Sequence, residues 1–211
     1  MKRLSVILMA LVALVGLTGC VVRTGKKSKI VSKQFQLREF EKIDIAGNID
    51  VYYTQGDHVS VSAQGDEQLI SSLDLNSDGH TLTVAQKPYR LSLSALRKGV
   101  AVYITTPDLT GVNMTGNGDF EANELVDTDN LNVTLTGNGD ISFKKVVCDK
   151  IFLNLTGNGD IDVDDVTAGT ANIQLTGNGD VEISGRVGKL EKQKMGNGDI
   201  TTDHLVVGSN S

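Results

Sequence analysis

The sequence predicts an all-β fold of the solenoid kind, a parallel β-helix with coils of about 20 residues, and three observations predict it. Gly-Asn-Gly-Asp occurs five times, as Gly116-Asn117-Gly118-Asp119, Gly137-Asn138-Gly139-Asp140, Gly157-Asn158-Gly159-Asp160, Gly177-Asn178-Gly179-Asp180 and Gly196-Asn197-Gly198-Asp199. Successive copies start 21, 20, 20 and 19 residues apart, and a near-constant period of that length marks stacked repeats. The segments flanking each copy alternate apolar and polar residues, the period of a strand with one buried face. The copies are also verbatim. In an antiparallel meander, which Asn-Gly turns favour as well, equivalent turns lie two strand spacings apart, roughly 10 Å, and gain little from identity. In a parallel coil each turn lies on its copy about 4.8 Å away, so identical bends and side chains stack.

The chain opens on a targeting segment, residues 1–19. Lys2 and Arg3 give a positive start, and Leu4 to Leu17 is nearly all apolar yet too short to span a bilayer. Leu17-Thr18-Gly19-Cys20 resembles the lipobox of bacterial lipoproteins, which makes Cys20 the lipidated first residue of the exported protein. More than one acyl chain on that cysteine gives lasting membrane residence. Val21 stands where inner-membrane lipoproteins of enteric-type bacteria often carry Asp, which points to the outer membrane. Residues 20–34 are the lipidated cysteine and a basic linker with Arg23, Lys26, Lys27 and Lys29, either a solvated spacer or a contact for anionic headgroups. With Cys20 acylated, Cys148 has no disulfide partner and is expected to be a small buried residue.

Residues 35–208 form the β-domain, irregular over 35–110 and regular over 111–208. In the irregular part Ile43, Ile45, Ile49, Val51 and Tyr53 alternate around Ala46-Gly47-Asn48, and Val59 and Val61 follow a turn at Gln55-Gly56-Asp57. Asp66 to Leu75 lacks alternation and suits one or two helical turns with Leu69, Ile70 and Leu73 on one side. After the Asp78-Gly79 turn, Leu82 and Val84 resume a strand, and Val100, Val102 and Ile104 form another. Lys87 to Lys98 reads as a loop over one end of the fold.

In the regular part, Leu131, Val133 and Leu135 precede a turn and Ile141 and Phe143 follow it; Ile151, Leu153 and Leu155 precede the next, with Ile161 and Val163 after. Each repeat thus supplies two short strands, joined by the repeated turn on one edge and a variable polar connection on the other. Lys192, Gln193 and Lys194 stand where earlier repeats are largely apolar, as in a capping coil that meets water.

The lipobox, Phe40-Glu41-Lys42-Ile43-Asp44-Ile45, Ala46-Gly47-Asn48-Ile49-Asp50-Val51, the Gln55-Gly56-Asp57 turn, Tyr103-Ile104-Thr105-Thr106-Pro107-Asp108-Leu109 and the series of Gly-Asn-Gly-Asp turns together resemble the bacterial family called putative auto-transporter adhesin, head GIN domain. The likeness covers roughly residues 35–207. It implies a right-handed parallel β-helix in an exported or lipid-anchored protein, and it supplies no catalytic residues.

Glycine suits positive φ and close backbone approach, and asparagine is the next most tolerant residue. The glycines therefore make the corner, and Asn138, Asn158 and Asn178 are placed to bond up and down the stack. Period two turns Asp119, Asp140, Asp160, Asp180 and Asp199 outward into a column of like charges, each pair repelling by about 1 kcal/mol at this spacing in water. Backbone N–H groups, as in an Asx-turn, or bound cations can offset that repulsion. Calcium is the candidate ion, although calcium-binding β-rolls repeat about every nine residues with a different Gly–Asp spacing. No other cofactor is expected. Asp162, Asp164 and Asp165 could join Asp140 and Asp160 in a polysaccharide-cleaving groove, but no long loops wall a cleft. His58, His80 and His204 lack ligand spacing.

Without Lys2 and Arg3 the chain carries 18 basic and 26 acidic residues, net −8, which excludes nucleic acid as an expected partner. Thr134, Thr136, Asn154, Thr156, Gln174 and Thr176 point outward as a flat polar face, with Phe152 outward beside them. The leading reading is a non-catalytic, lipid-anchored envelope protein that binds a surface protein or polysaccharide through a solenoid face. A structural or assembly role with self-association is second, and a polysaccharide-acting enzyme third.

Overall fold

A computed structural model describes residues 29–87 and 99–208. The targeting segment, Cys20, the linker as far as residue 28, and residues 88–98 lie outside the described residues. In chain order the first elements are β1 (Ile30–Phe35), β2 (Lys42–Gly47), β3 (Asp50–Gln55), β4 (Ser60–Asp66) and helix α1 (Glu67–Ser72). Then come β5 (Leu73–Ser77), β6 (Thr81–Gln86), β7 (Val100–Thr106) and β8 (Gly111–Gly116). The regular half holds β9 (Phe120–Asp127), β10 (Asn130–Gly137), β11 (Ile141–Gly157), β12 (Ile161–Gly177) and β13 (Val181–Gly196), and ends on β14 (Ile200–Thr201) and β15 (Leu205–Val207).

These strands wind as the expected β-solenoid, but with three walls: the connection read as variable and polar is itself paired from coil to coil and buries Val126, Val146 and Val166. The first wall stacks β5, β6, β2, β8, β10 and then the C-terminal parts of β11, β12 and β13. The second stacks β1, β4, β7, β3, β9, the N-terminal parts of β11 to β13, and β14. The third is narrow, with Val126, Val146, Val166 and Gly185 aligned from coil to coil and β15 closing it. The Gly-Asn-Gly-Asp turns join the first wall to the second in perfect register, Gly116 on Gly137, Gly157, Gly177 and Gly196. Gly47 pairs with Gly116, so Gly47-Asn48-Ile49-Asp50 is a sixth turn of the same stack. The change in period is absorbed at the corner between the second and third walls, where register slips beside Phe143 and again beside Val163.

Alternation places one apolar face of every strand inside. Val133, Leu153 and Ile173 form one fully buried column and Met114, Leu135, Leu155 and Leu175 the next. Each such side chain contributes roughly 1.5–3 kcal/mol of burial. On the second wall bulk is staggered rather than repeated: Ala122 lies between Tyr53 and Phe143 in its column, and Phe120 packs against both rings at centroid distances of 6.2 and 5.4 Å. A small residue beside large ones keeps the coil spacing even. Cys148 is buried, as expected of the lone thiol, and its low-dielectric setting pushes its pKa up to about 11.

The irregular half departs from the expected parallel coils. β4 runs antiparallel to both β1 and β7, and β5 runs antiparallel to β6. A local turn produces the reversal between β5 and β6. At Ser77 to Thr81 the Asp78 carboxylate accepts from the N–H groups of His80 and Thr81 at 2.8 Å each, and Gly79 takes φ 105°. Helix α1, capped by Asp66 through the N–H of Gln68 at 2.9 Å, buries Leu69 and Ile70. β1 begins at Ile30, inside the stretch read as linker, because its backbone pairs with β4 through six residues although its side chains are mostly exposed.

At the other end, Lys192 and Lys194 occupy the register positions of Ile173 and Leu175 but are exposed. The interior there has no further coil to fill it. Inward-register charge on an open strand edge also opposes pairing with a second chain.

The corner fixes the identity of its glycines. A Cβ on Gly159 would lie 1.9 Å from the Gly139 carbonyl oxygen, whereas one on Gly47, which begins the stack, would meet nothing within 4 Å. Gly47→Ala then suffers only its φ of 117°, about 1–3 kcal/mol, and Gly159→Ala must push coils apart. Urea unfolding is expected to show a loss above about 4 kcal/mol, or failure to fold, for Gly159→Ala alone.

Candidate functional site

The corner carries two ladders built from motif side chains. Each asparagine donates from Nδ2 to the Oδ1 of its counterpart one coil earlier: Asn117 to Asn48 at 2.9 Å, Asn138 to Asn117 at 2.7 Å, Asn158 to Asn138 and Asn178 to Asn158 at 2.8 Å, and Asn197 to Asn178 at 2.9 Å. One lone pair and one N–H per residue are thereby used along the whole stack, the amide ladder expected of equivalent residues one strand spacing apart.

The aspartates form the outward column that alternation predicted, and Asp50 begins it. Their like charges are offset by backbone donors from the neighbouring coil. Asp119 N–H donates to Asp50 Oδ1 at 3.3 Å, Asp140 to Asp119 at 3.2 Å, Asp160 to Asp140 at 3.0 Å, Asp180 to Asp160 at 2.8 Å and Asp199 to Asp180 at 2.7 Å. The donors come from across the stack rather than from the local turn. Among the described residues no coil follows that of Asp199, and there the Lys194 ammonium takes the donor's place at 2.9 Å from Oδ1. Among the described residues no group of three or more His, Cys, Asp or Glu side chains is arranged to hold a metal ion.

The remaining acidic residues spread out instead of converging. Asp164 and Asp165 lie at the second corner, paired with Lys144 at 2.7 Å and Lys145 at 2.8 Å. Asp162 faces out from the second wall in register with Ser142 and Glu182. Partial burial, then Glu182 and the neighbouring aspartates, raise its pKa above the usual carboxylate range; partial burial does the same for Asp50 against the lowering effect of the Asp119 N–H. Also on this wall Tyr52 and Tyr103 stack at 5.3 Å, a contact alternation could not reveal because β3 and β7 are neighbours only in space. His80 reaches toward Glu41 at 3.8 Å, remote in sequence from His58 and His204.

The first wall has a different surface. Thr115, Thr136, Thr156 and Thr176 form an exposed hydroxyl column in register, and beside it Asn113, Thr134, Asn154 and Gln174 form a second polar column. In a third column Phe152 lies half-buried between Asn132 and Asn172. A shallow groove of about 550 Å³ runs over Phe152 and is edged by Asn130, Lys150 and Thr170. A second, of about 230 Å³, is edged by Lys42, Asp44 and Asn113; the two meet at Asn132. The outward direction of these residues follows from the sequence, but the concavity does not.

A carboxylate whose pKa is raised in the folded state binds protons more readily there than in the unfolded chain, so its ionisation costs stability as the pH rises through the folded value. Asp162→Asn removes that cost. Its melting temperature is expected to exceed the wild type at pH 7, and the difference to shrink as the pH falls into the range where Asp162 is protonated in the folded protein; thermal melts at pH 7 and 4 check it.

The model of the family described as putative auto-transporter adhesin, head GIN domain, matches residues 39–210. Among solved structures, a putative lipid binding protein from Parabacteroides distasonis is similar with a TM-score of 0.79 at 20% identity, covering 86% of this chain and 76% of that one. A putative adhesin from Bacteroides fragilis gives 0.62 at 19% identity, covering 82% and 97%, and one from Parabacteroides merdae gives 0.59 at 18%, covering 83% and 97%. A search of curated proteins finds no match. At these identities the structures share the fold, and the family match supplies the kinship: the chain belongs to the putative auto-transporter adhesin, head GIN domain, family.

Proposed function

We propose that the protein is a non-catalytic adhesion or ligand-binding protein of the bacterial cell envelope, held to the outer membrane by a lipidated Cys20 and binding through its solenoid surface. The observation that carries this reading is the first wall: a long, regular, outward polar face whose grooves lie side by side along the coils. Such a face suits an extended ligand, as solenoid faces generally do. The carboxylates, by contrast, are distributed along the stack and engaged by backbone N–H groups or lysines. That arrangement supports binding over hydrolysis, which needs two carboxyl groups converging on one bond. The adhesin names of the family and of similar solved structures agree with it. No described helix is long and apolar enough to cross a membrane.

A structural role by end-to-end assembly is the second reading. Its support is the exposure of Met195, Val206 and Val207 on the last coil, 61%, 53% and 51%, beside unpaired strand edges. Lys192 and Lys194 oppose it.

Cys20→Ser is expected to move the protein from the membrane fraction to the soluble envelope fraction and to abolish attachment of cells to surfaces; cells that attach equally well with a soluble variant would overturn the proposal. Lys192→Leu with Lys194→Leu is expected to convert a monomer into dimers or larger species in size-exclusion chromatography with light scattering. Wild-type protein that already self-associates would favour the assembly reading.

A further inference from the structure

The proposed binding role leaves the ligand open, and the first wall narrows it. Its polar columns differ from the corner ladders in one respect. The corner asparagines are bonded to one another along the stack, but Asn113, Thr134, Asn154 and Gln174, equally spaced and equally aligned, make no side-chain hydrogen bond to any described residue. Their donors and acceptors face outward unspent. Asn132 and Asn172 each donate once, to the Thr110 carbonyl at 3.4 Å and to Glu191 at 3.1 Å, leaving their Oδ1 atoms open.

From these features, and resting on the binding function proposed above, we infer that the first-wall groove centred on Phe152 binds a neutral oligosaccharide chain laid along the solenoid axis. A partly exposed ring flanked one coil above and below by amides is the pairing a pyranose requires: its C–H face stacks on the ring and its hydroxyls meet groups that both donate and accept. The amide and hydroxyl columns recur at about 4.8 Å, close to the advance of one pyranose unit in an extended chain, so successive sugars meet equivalent partners. The edges of the two grooves carry Lys42 and Lys150 against Asp44, near neutrality, whereas the second wall carries Glu121, Asp162 and Glu182 in one outward column. An uncharged chain satisfies the first wall without leaving a buried charge unpaired.

The test uses the full chain purified in detergent and immobilised hexasaccharides, cellohexaose and chitohexaose as neutral probes and hexagalacturonate as the acidic one. Wild type is expected to hold at least one neutral probe. Phe152→Ala should weaken it about tenfold or more, Phe152→Trp should restore it, and Asn132→Ala or Asn172→Ala should weaken it by about three- to tenfold, with Glu182→Gln without effect. Equal melting temperatures for Phe152→Ala and wild type separate lost contact from lost fold. Failure to hold a neutral probe, equal binding by Phe152→Ala, or binding of hexagalacturonate alone overturns the inference. Cells carrying Phe152→Ala that attach as wild type, while Cys20→Ser cells do not, would overturn it and leave the broader function standing. Wild-type cells that attach no better than Cys20→Ser cells would instead remove the broader function.

Discussion

The structure depends on how closely successive backbones approach at one corner. Any Cβ at the second glycine of a turn would lie 1.8 to 2.1 Å from a carbonyl oxygen of the coil before, and at the first glycine 2.0 to 2.1 Å. Two residues of the same turn, one on each side of the asparagine, are thus barred from having side chains; at the second glycine this is a condition on stacking alone, while the first also takes a positive φ. Ile49 is the proof. In the first turn, third position, it carries a fully buried side chain, while its own carbonyl is what Gly118 must avoid one coil later. The same bend tolerates a side chain where no coil presses on it and excludes one everywhere else.

Once the coils are held at that spacing, the electrostatics follow. Asn and Asp recur because each has an acceptor that reaches a donor one strand away, and the aspartate column is tolerable because every carboxylate before the last faces a backbone N–H. The end of the column shows the same rule from the opposite side: with no further N–H to offer, the chain supplies Lys194. A residue that looks misplaced in an apolar column therefore has two tasks, closing the charge ladder and blunting the open edge.

Much of this was legible in the sequence because exact period and alternation encode register directly. Two of the walls, their inward columns and the outward aspartates follow from counting by two and by 20, whereas the third wall, with Val126, Val146 and Val166 buried, stands where a variable polar connection is expected. What escaped lay where the period breaks. The sixth turn was hidden by Ile49, which stands where the other turns have their second glycine; β5 runs antiparallel to β6 because a hairpin turn sets its direction, and β4 runs antiparallel to β1 and β7, which are neighbours only in space. Of the two offsets the sequence leaves open, turn N–H groups or cations, a backbone donor is present, but it comes from the adjacent coil instead of the local turn, since a repeat lets a residue find in its own copy what it lacks nearby. The groove over Phe152 was unreadable for another reason: concavity depends on side-chain size in three coils at once.

The distribution of constraint then separates the two faces. At the corner every motif position is fixed by contact with its copies, so change there is costly and a ligand would have to compete with bonds already made. The first wall is held only through its inward residues, and its outward columns are free to vary without disturbing the stack. Variation is visible in this one chain: aligned outward positions read Asn132, Phe152 and Asn172 in one column and Thr134, Asn154 and Gln174 in the next, while five of the six corner turns repeat letter for letter. A surface that can change while its spacing cannot is the arrangement in which recognition of an extended ligand is acquired by substituting one residue per coil.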